Sequence, residues 1–146
     1  GIQEVLDKKA LEEKIPFLGI CLGMQLLTNS SQEGSLPGLG WIDAEAIKFP
    51  ESSVLKVPHI GWNDAKPVKS DPIVKGLLED SRFYFVHSYF VKTNKTDNSL
   101  MKTKYGVTFD SAISKGNIYG FQFHPEKSHK YGMKILKNFS EININE

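Results

Sequence analysis

PFLGICLGMQLL, residues 16–27, sets the only cysteine of the chain between two glycines. Pro16 closes the segment before it, because its ring removes a backbone donor and clashes with a preceding helical turn. Phe17-Leu18-Gly19-Ile20 is then an unbroken apolar run, of the kind found in strands covered on both faces of a parallel sheet. After Cys21 the pattern changes to a helix over residues 22–28, stopped by the Asn29-Ser30-Ser31 cluster. Buried strand, sharp turn and helix predict an α/β fold.

Working outward, residues 2–15 space Ile2, Val5, Leu6, Ala10, Leu11 and Ile15 as one face of an amphipathic helix. Glycines and prolines between Gly34 and Pro50 mark loops around a strand near residues 42–49. RFYFVHSYFV, residues 82–91, reads as a single core strand, preceded by a short helix over residues 72–78 with proline in its first turn. Residues 107–114 and 117–123 flank Lys115-Gly116 as a β-hairpin. Residues 128–139 space Tyr131, Ile135 and Phe139 four apart, as in a docked C-terminal helix.

The 146 residues, 40% hydrophobic and 24% charged, suffice for one ordinary core, and a single domain over 1–146 is expected. Eighteen basic against 17 acidic residues, a net charge of +1, give no electrostatic reason to bind nucleic acid or an anionic membrane. No apolar stretch reaches the ~18 residues that would span a bilayer. One cysteine makes no internal disulfide, so a reducing, cytoplasmic location is expected.

Gly19-Ile20-Cys21-Leu22-Gly23 has the form of a nucleophile elbow with cysteine in place of serine. In such a turn the nucleophile is strained and its neighbours two residues away lack side chains, so that strand and helix approach closely. The helix start would favour a thiolate, and the Leu22 N–H would face a developing oxyanion. An inert buried cysteine is the alternative. A nucleophilic thiol needs a base, and among the four histidines His124 stands out, ending the strand IYGFQF and followed by Pro125-Glu126. Residues two apart face the same side of an extended chain, so Glu126 can hold the imidazole of His124 as the third member of a triad.

With these motifs in place the chain resembles the class I, triad-type glutamine amidotransferases. Within them it is most similar to the glutaminase subunit of imidazole glycerol phosphate synthase, the HisH type. The likeness is carried by FLGICLGMQLL (17–27), GLGWI (38–42), PHIGWN (58–63), YFVHSY (84–89) and GFQFHPEKS (120–128). It implies a flavodoxin-like, mostly parallel sheet flanked by helices, with no metal or organic cofactor. It also implies that Cys21 attacks the side-chain amide of L-glutamine, that His124 protonates the departing ammonia and that Glu126 orients the ring. Gln25, His87, Ser88 and Tyr89 match substrate-binding positions, although a core role suits the His87 ring. Pro58, Trp62, Asn63, Tyr84 and Lys127 match the face that meets a HisF-type cyclase in a heterodimer serving histidine biosynthesis. HisH-like glutaminases that supply amidino-sugar synthesis, and an inactive partner-binding fragment, are the alternatives. Family members begin with strands and a P-G-x-G loop that completes the oxyanion hole, and the expectation is of a domain missing these N-terminal strands. One lost oxyanion donor costs about 10²–10³ in turnover, so little activity is expected of this form.

Overall fold

The structure is a computed structural model that describes residues 1–142, so the last four positions of the expected domain lie outside the described residues. Its opening segment is not one regular helix. Helix α1, Ile2–Asp7, passes into a wider π-helical stretch at Lys8–Glu12, where the Glu13 N–H reaches the Lys8 carbonyl five residues back. Lys14 in the left-handed region (φ 57°) ends it. The tertiary contacts that go with this winding are specific: the Asn117 side chain donates to the carbonyls of Ala10 and Ile15, and Trp41 Nε1 donates to Asp7. Ala10 is buried, whereas Ile2, Val5 and Leu11 are exposed.

Strand β1, Phe17–Ile20, follows and leads through Cys21 into helix α2, Leu22–Leu26. The remaining strands are β2 (Ser30–Ser31), β3 (Ala44–Lys48), β4 (His59–Asp64), β5 (Lys66–Pro67), β6 (Arg82–His87), β7 (Tyr89–Thr93), β8 (Ser99–Tyr105), β9 (Val107–Lys115) and β10 (Ile118–Phe121). Helix α3, His129–Ser140, closes the described chain. The fold is α/β. Its larger sheet runs β1-β10-β9-β7-β3-β2, with β8 also on β9 and β5 on β8, while β4 and β6 form a separate two-stranded ribbon. Pairing is parallel where β1 lies beside β10 and β2 beside β3. It is antiparallel at the other pairs, two of which, β8 with β9 and β9 with β10, are joined by turns too short for a crossover. The expected hairpin is present, with Gly116 at φ 59° in its turn.

Residues 82–91 are two strands rather than one. Phe83, Phe85 and His87 alternate inward along β6, but beyond Ser88 the inward residues are Phe90 and Val91, and the chain changes sheets. A break in the period-2 pattern is the physical mark of this corner. The helix expected over residues 72–78 shrinks to a 3₁₀ turn, Pro72–Val74, with the Asp71 carboxylate accepting from the Ile73 N–H and Gly76 (φ 78°) turning the chain away. β10 separates two apolar clusters: Tyr119 and Phe121 join Phe83, Phe85, Phe123 and Ile135, and Ile118 joins Met24, Leu27 and Trp41.

Helix α3 presses on the turn that carries His124. A Cβ at Gly132 would stand 1.8 Å from the Pro125 carbonyl oxygen, a backbone atom that cannot step aside alone. Gly132→Ala is therefore expected to destabilise the protein by about 3 kcal/mol or more, read as a lower denaturation midpoint at unchanged m-value.

Candidate functional site

The site begins at the carboxyl ends of the adjacent parallel strands β1 and β10, the edge where ligands gather in α/β sheets. Ile20 pairs with Phe121, and the Cys21 N–H donates to the Phe121 carbonyl at 2.7 Å. Cys21 then adopts φ 54° and ψ −107°, a conformation that a non-glycine residue holds only under strain. The two glycines of the elbow have different parts. A Cβ at Gly19 would meet the Gly23 carbonyl oxygen at 2.6 Å, whereas a Cβ at Gly23 would meet nothing within 4 Å. Only the first is required by the approach of strand and helix.

The Cys21 sulfur lies 3.8 Å from the Val86 carbonyl oxygen and 3.7 Å from Gln122 Nε2. Burial pushes its thiol up, and this outweighs the opposing hydrogen bonds from the Leu22 N–H and Gln122. Glu126 and Glu33 act in the same direction as burial. The thiolate expected from the helix start is thus not the resting form, because α2 is only five residues long and desolvation dominates.

His124 and Glu126 do pair: Nδ1 and the Glu126 carboxylate are 2.6 Å apart. The Nδ1–H donates, so Nε2 is left for proton transfer. They meet through a turn and not through extended backbone, since β10 ends at Phe121 and Pro125–Lys127 is a 3₁₀ turn. Tyr84 of β6 fixes that turn. Its carbonyl accepts from the His124 N–H, its N–H donates to Ser128 Oγ, and Ser128 Oγ donates to the His124 carbonyl at 2.6 Å. Among the described residues no hydrogen bond joins Cys21 to His124.

Gln25 lies one turn beyond Cys21, its N–H on the Cys21 carbonyl, but its side chain is buried and turned inward. Its Nε2 is 3.4 Å from both the Tyr89 carbonyl and Gln122 Oε1. A cavity of about 510 Å³ beside α2 is walled by Leu22, Gln25, Leu26, Ser31, Leu36 and Pro37, among others, but not by Cys21 or His124. The His87 ring is a core group, as its residue type suggests. Its Nδ1–H donates to the Tyr89 carbonyl, which makes Nε2 the acceptor for His59 Nδ1–H at 2.9 Å, and leaves His59 Nε2 to accept from Asn63. Desolvation pushes both imidazoles down to about 4, so both are neutral. Ser88 contributes its carbonyl to the Phe49 N–H at the corner between β6 and β7.

Of the residues matched to a partner face, Trp62 and Tyr84 share one side of the β4/β6 ribbon, with Pro58 before β4 and Lys127 on the neighbouring turn, whereas Asn63 points to the other side. Trp62 is 40% exposed, stacks on His129 with ring centroids 5.3 Å apart and touches Tyr84 edge to face. Pro58 and Lys127 are exposed, and Ile60, beside Trp62 on the same strand, is 60% exposed. Asn63 is held inward by His59 and the Lys104 carbonyl.

Comparison with known proteins settles the family. The family model for class I glutamine amidotransferases matches residues 1–142. The chain belongs to the class I glutamine amidotransferases. Two amidotransferase relatives are the imidazole glycerol phosphate synthase subunit HisH 2 of Methanococcus maripaludis, 56% identical over 139 residues, and the HisH subunit of Bdellovibrio bacteriovorus, 51% identical over 145 residues. These alignments cover 95% and 97% of this chain and 69% and 71% of those proteins. A Thermotoga maritima glutamine amidotransferase of known structure superposes with a TM-score of 0.60 at 19% identity, over 99% of this chain and 57% of that one, and supports the fold.

Gln122 and His59 are what sequence reasoning passed over in this amidotransferase chain. A polar residue between two core phenylalanines, Phe121 and Phe123, was the available signal for the first. For His59 the signal was its place in the motif PHIGWN, and its role shows only once β4 pairs it with His87.

Two outcomes follow from this geometry. Gly19→Ala is expected to lower stability by about 1–3 kcal/mol and Gly23→Ala to leave it unchanged or raise it by up to about 1 kcal/mol, compared in denaturant titrations. The folded chain binds fewer protons than the unfolded one while His59 and His87 stay neutral, between their folded values of about 4 and the ordinary 6.5. Stability is therefore full above about pH 6.5 and falls toward pH 4, and replacing either ring with phenylalanine flattens that part of the profile.

Proposed function

We propose that this chain carries the catalytic residues, Cys21, His124 and Glu126, of a glutaminase that hydrolyses L-glutamine to glutamate and ammonia and passes the ammonia to a cyclase. The observation that carries the reading is the 2.6 Å His124–Glu126 pair on the turn beyond β10, beside the strained cysteine at the end of β1. Because burial keeps the resting thiol protonated, His124 Nε2 takes the proton as sulfur attacks the amide carbon. The oxygen of the tetrahedral intermediate draws on the Leu22 N–H. Collapse returns the proton from His124 to the leaving nitrogen, and ammonia departs from a thioester. Water, activated by the same imidazole, then releases glutamate. Glu126 keeps the imidazole tautomer fixed and stabilises the imidazolium that forms in each half-reaction. In this reading the amino-acid end of glutamine lies along Ser88 and Tyr89, and the Gln25 amide, engaged with the Tyr89 carbonyl and Gln122, backs that segment rather than reaching the substrate.

The names of the matched relatives support a synthase subunit in histidine biosynthesis over an amidino-sugar pathway. In this reading a HisF-type cyclase binds the face made by Pro58, Trp62 and Tyr84, with Asn63 supporting it from behind through His59, and with Lys127 meeting an acidic residue across it. Trp62, already stacked and part-exposed, is its aromatic anchor. Cytoplasmic synthesis suits such a subunit, and no helix among the described residues is long and apolar enough to cross a membrane.

The reading is tested with the cyclase present, by following both glutamine-dependent and ammonia-dependent product formation. Cys21→Ala is expected to lower the glutamine-dependent rate by at least about 10³-fold and to leave the ammonia-dependent rate unchanged. Glu126→Gln is expected to lower the first by about 10²-fold or more. Undiminished glutamine use by Cys21→Ala contradicts the proposal.

A further inference from the structure

We infer that Gln122 is a positioning residue for the nucleophile: its side-chain amide, locked in one orientation by Gln25, presents an N–H to the Cys21 sulfur and holds it for attack. The inference deepens the glutaminase reading and rests on it.

A side-chain amide has two ends of similar shape and opposite polarity, so its orientation is set by its neighbours. The Tyr89 backbone carbonyl can only accept, and it receives the His87 Nδ1–H at 2.8 Å and Gln25 Nε2 at 3.4 Å. That contact turns the nitrogen of Gln25 inward, where it also reaches Gln122 Oε1 at 3.4 Å. With its oxygen engaged there, Gln122 has its nitrogen 3.7 Å from Cys21 Sγ. Reversing Gln122 would set two NH₂ groups against each other and an oxygen lone pair against the sulfur. Gln122 is completely buried and its backbone is tied to the Ser111 carbonyl at 2.9 Å, so its amide has no water as an alternative partner.

The sulfur therefore sits between two kinds of group. The Val86 carbonyl at 3.8 Å suits the thiol, whose S–H it can accept. The N–H groups of Gln122 and Leu22 suit the thiolate that forms as the proton passes to His124. Glu126 and Glu33 are the charged side chains that disfavour that thiolate, and the Gln122 donor offsets them without a charge of its own.

The single cysteine makes the test clean, because alkylation by iodoacetamide, read by intact mass, reports Cys21 alone. The rate is measured against pH for the wild type, Gln122→Glu and Gln122→Met, with thermal melting and with kcat and KM for glutamine in the presence of cyclase. Gln122→Glu keeps the shape and loses the donor, and Gln122→Met keeps the apolar volume if a buried carboxylate prevents folding. Expected is an upward shift of the alkylation midpoint by at least about half a pH unit in each folded variant, larger for Gln122→Glu, with kcat down tenfold or more and KM within threefold. An unchanged midpoint in a variant that melts like the wild type overturns the inference. The two readings separate cleanly. A shifted midpoint without glutamine turnover by the wild type leaves the positioning contact standing and removes the glutaminase reading, whereas wild-type turnover with an unmoved midpoint does the reverse.

Discussion

The Cys21 N–H donates to the Phe121 carbonyl at the last rung of the β1/β10 ladder, and the site depends on that rung. Because the two strands are parallel, the residues that leave them do so at the same edge. Cys21 departs from β1 at once, into a strained turn, and His124 departs from β10 three residues later, into a 3₁₀ turn pinned by Tyr84 and Ser128. An antiparallel pairing here would send the two groups to opposite ends of the sheet. Gly19 makes the rung possible on the other side, since any side chain there would collide with the Gly23 carbonyl and force α2 away from β1.

Electrostatically, the site divides its work between buried neutral groups and a more exposed imidazole–carboxylate pair. The thiol, the two glutamines, His59 and His87 form a hydrogen-bonded interior that holds no net charge at neutral pH. His124 and Glu126 stand nearer the surface, their side chains 19% and 47% exposed, so the pair that must carry charge during the reaction keeps part of its hydration. Charge thus has to develop on the sulfur against desolvation, and the donors aimed at it matter more than they would in water. The same buried histidines reach from the ribbon that carries Trp62 to the carbonyl that receives Gln25, so packing at one face and geometry at the nucleophile are built from one continuous set of contacts.

Much of this was readable in the residues. The apolar run before Cys21, the turn after it and the hairpin at Gly116 each have a local cause, and local causes survive into the fold. The H-P-E pair was readable because two residues on either side of a proline have few ways to miss each other. What escaped had tertiary causes. The corner at Ser88 shows only as a slip in alternation, and β4 shows as a strand only once β6 lies beside it. The inward turn of Gln25 and the contact of Gln122 with sulfur depend on a carbonyl, that of Tyr89, which has no signature in a sequence. The π-helical winding at Lys8–Glu12 likewise goes with contacts from Asn117, more than a hundred residues away.

The central claim is that sulfur, imidazole and carboxylate act as one unit although no hydrogen bond joins the first two at rest. A double-mutant cycle on the glutamine-dependent rate, pairing Cys21→Ser with His124→Ala, measures that directly. If the unit is real, the double variant is about as slow as the slower single one, because the second change removes nothing that still works. If instead the two losses multiply, the thiol and the ring act independently and the account is wrong.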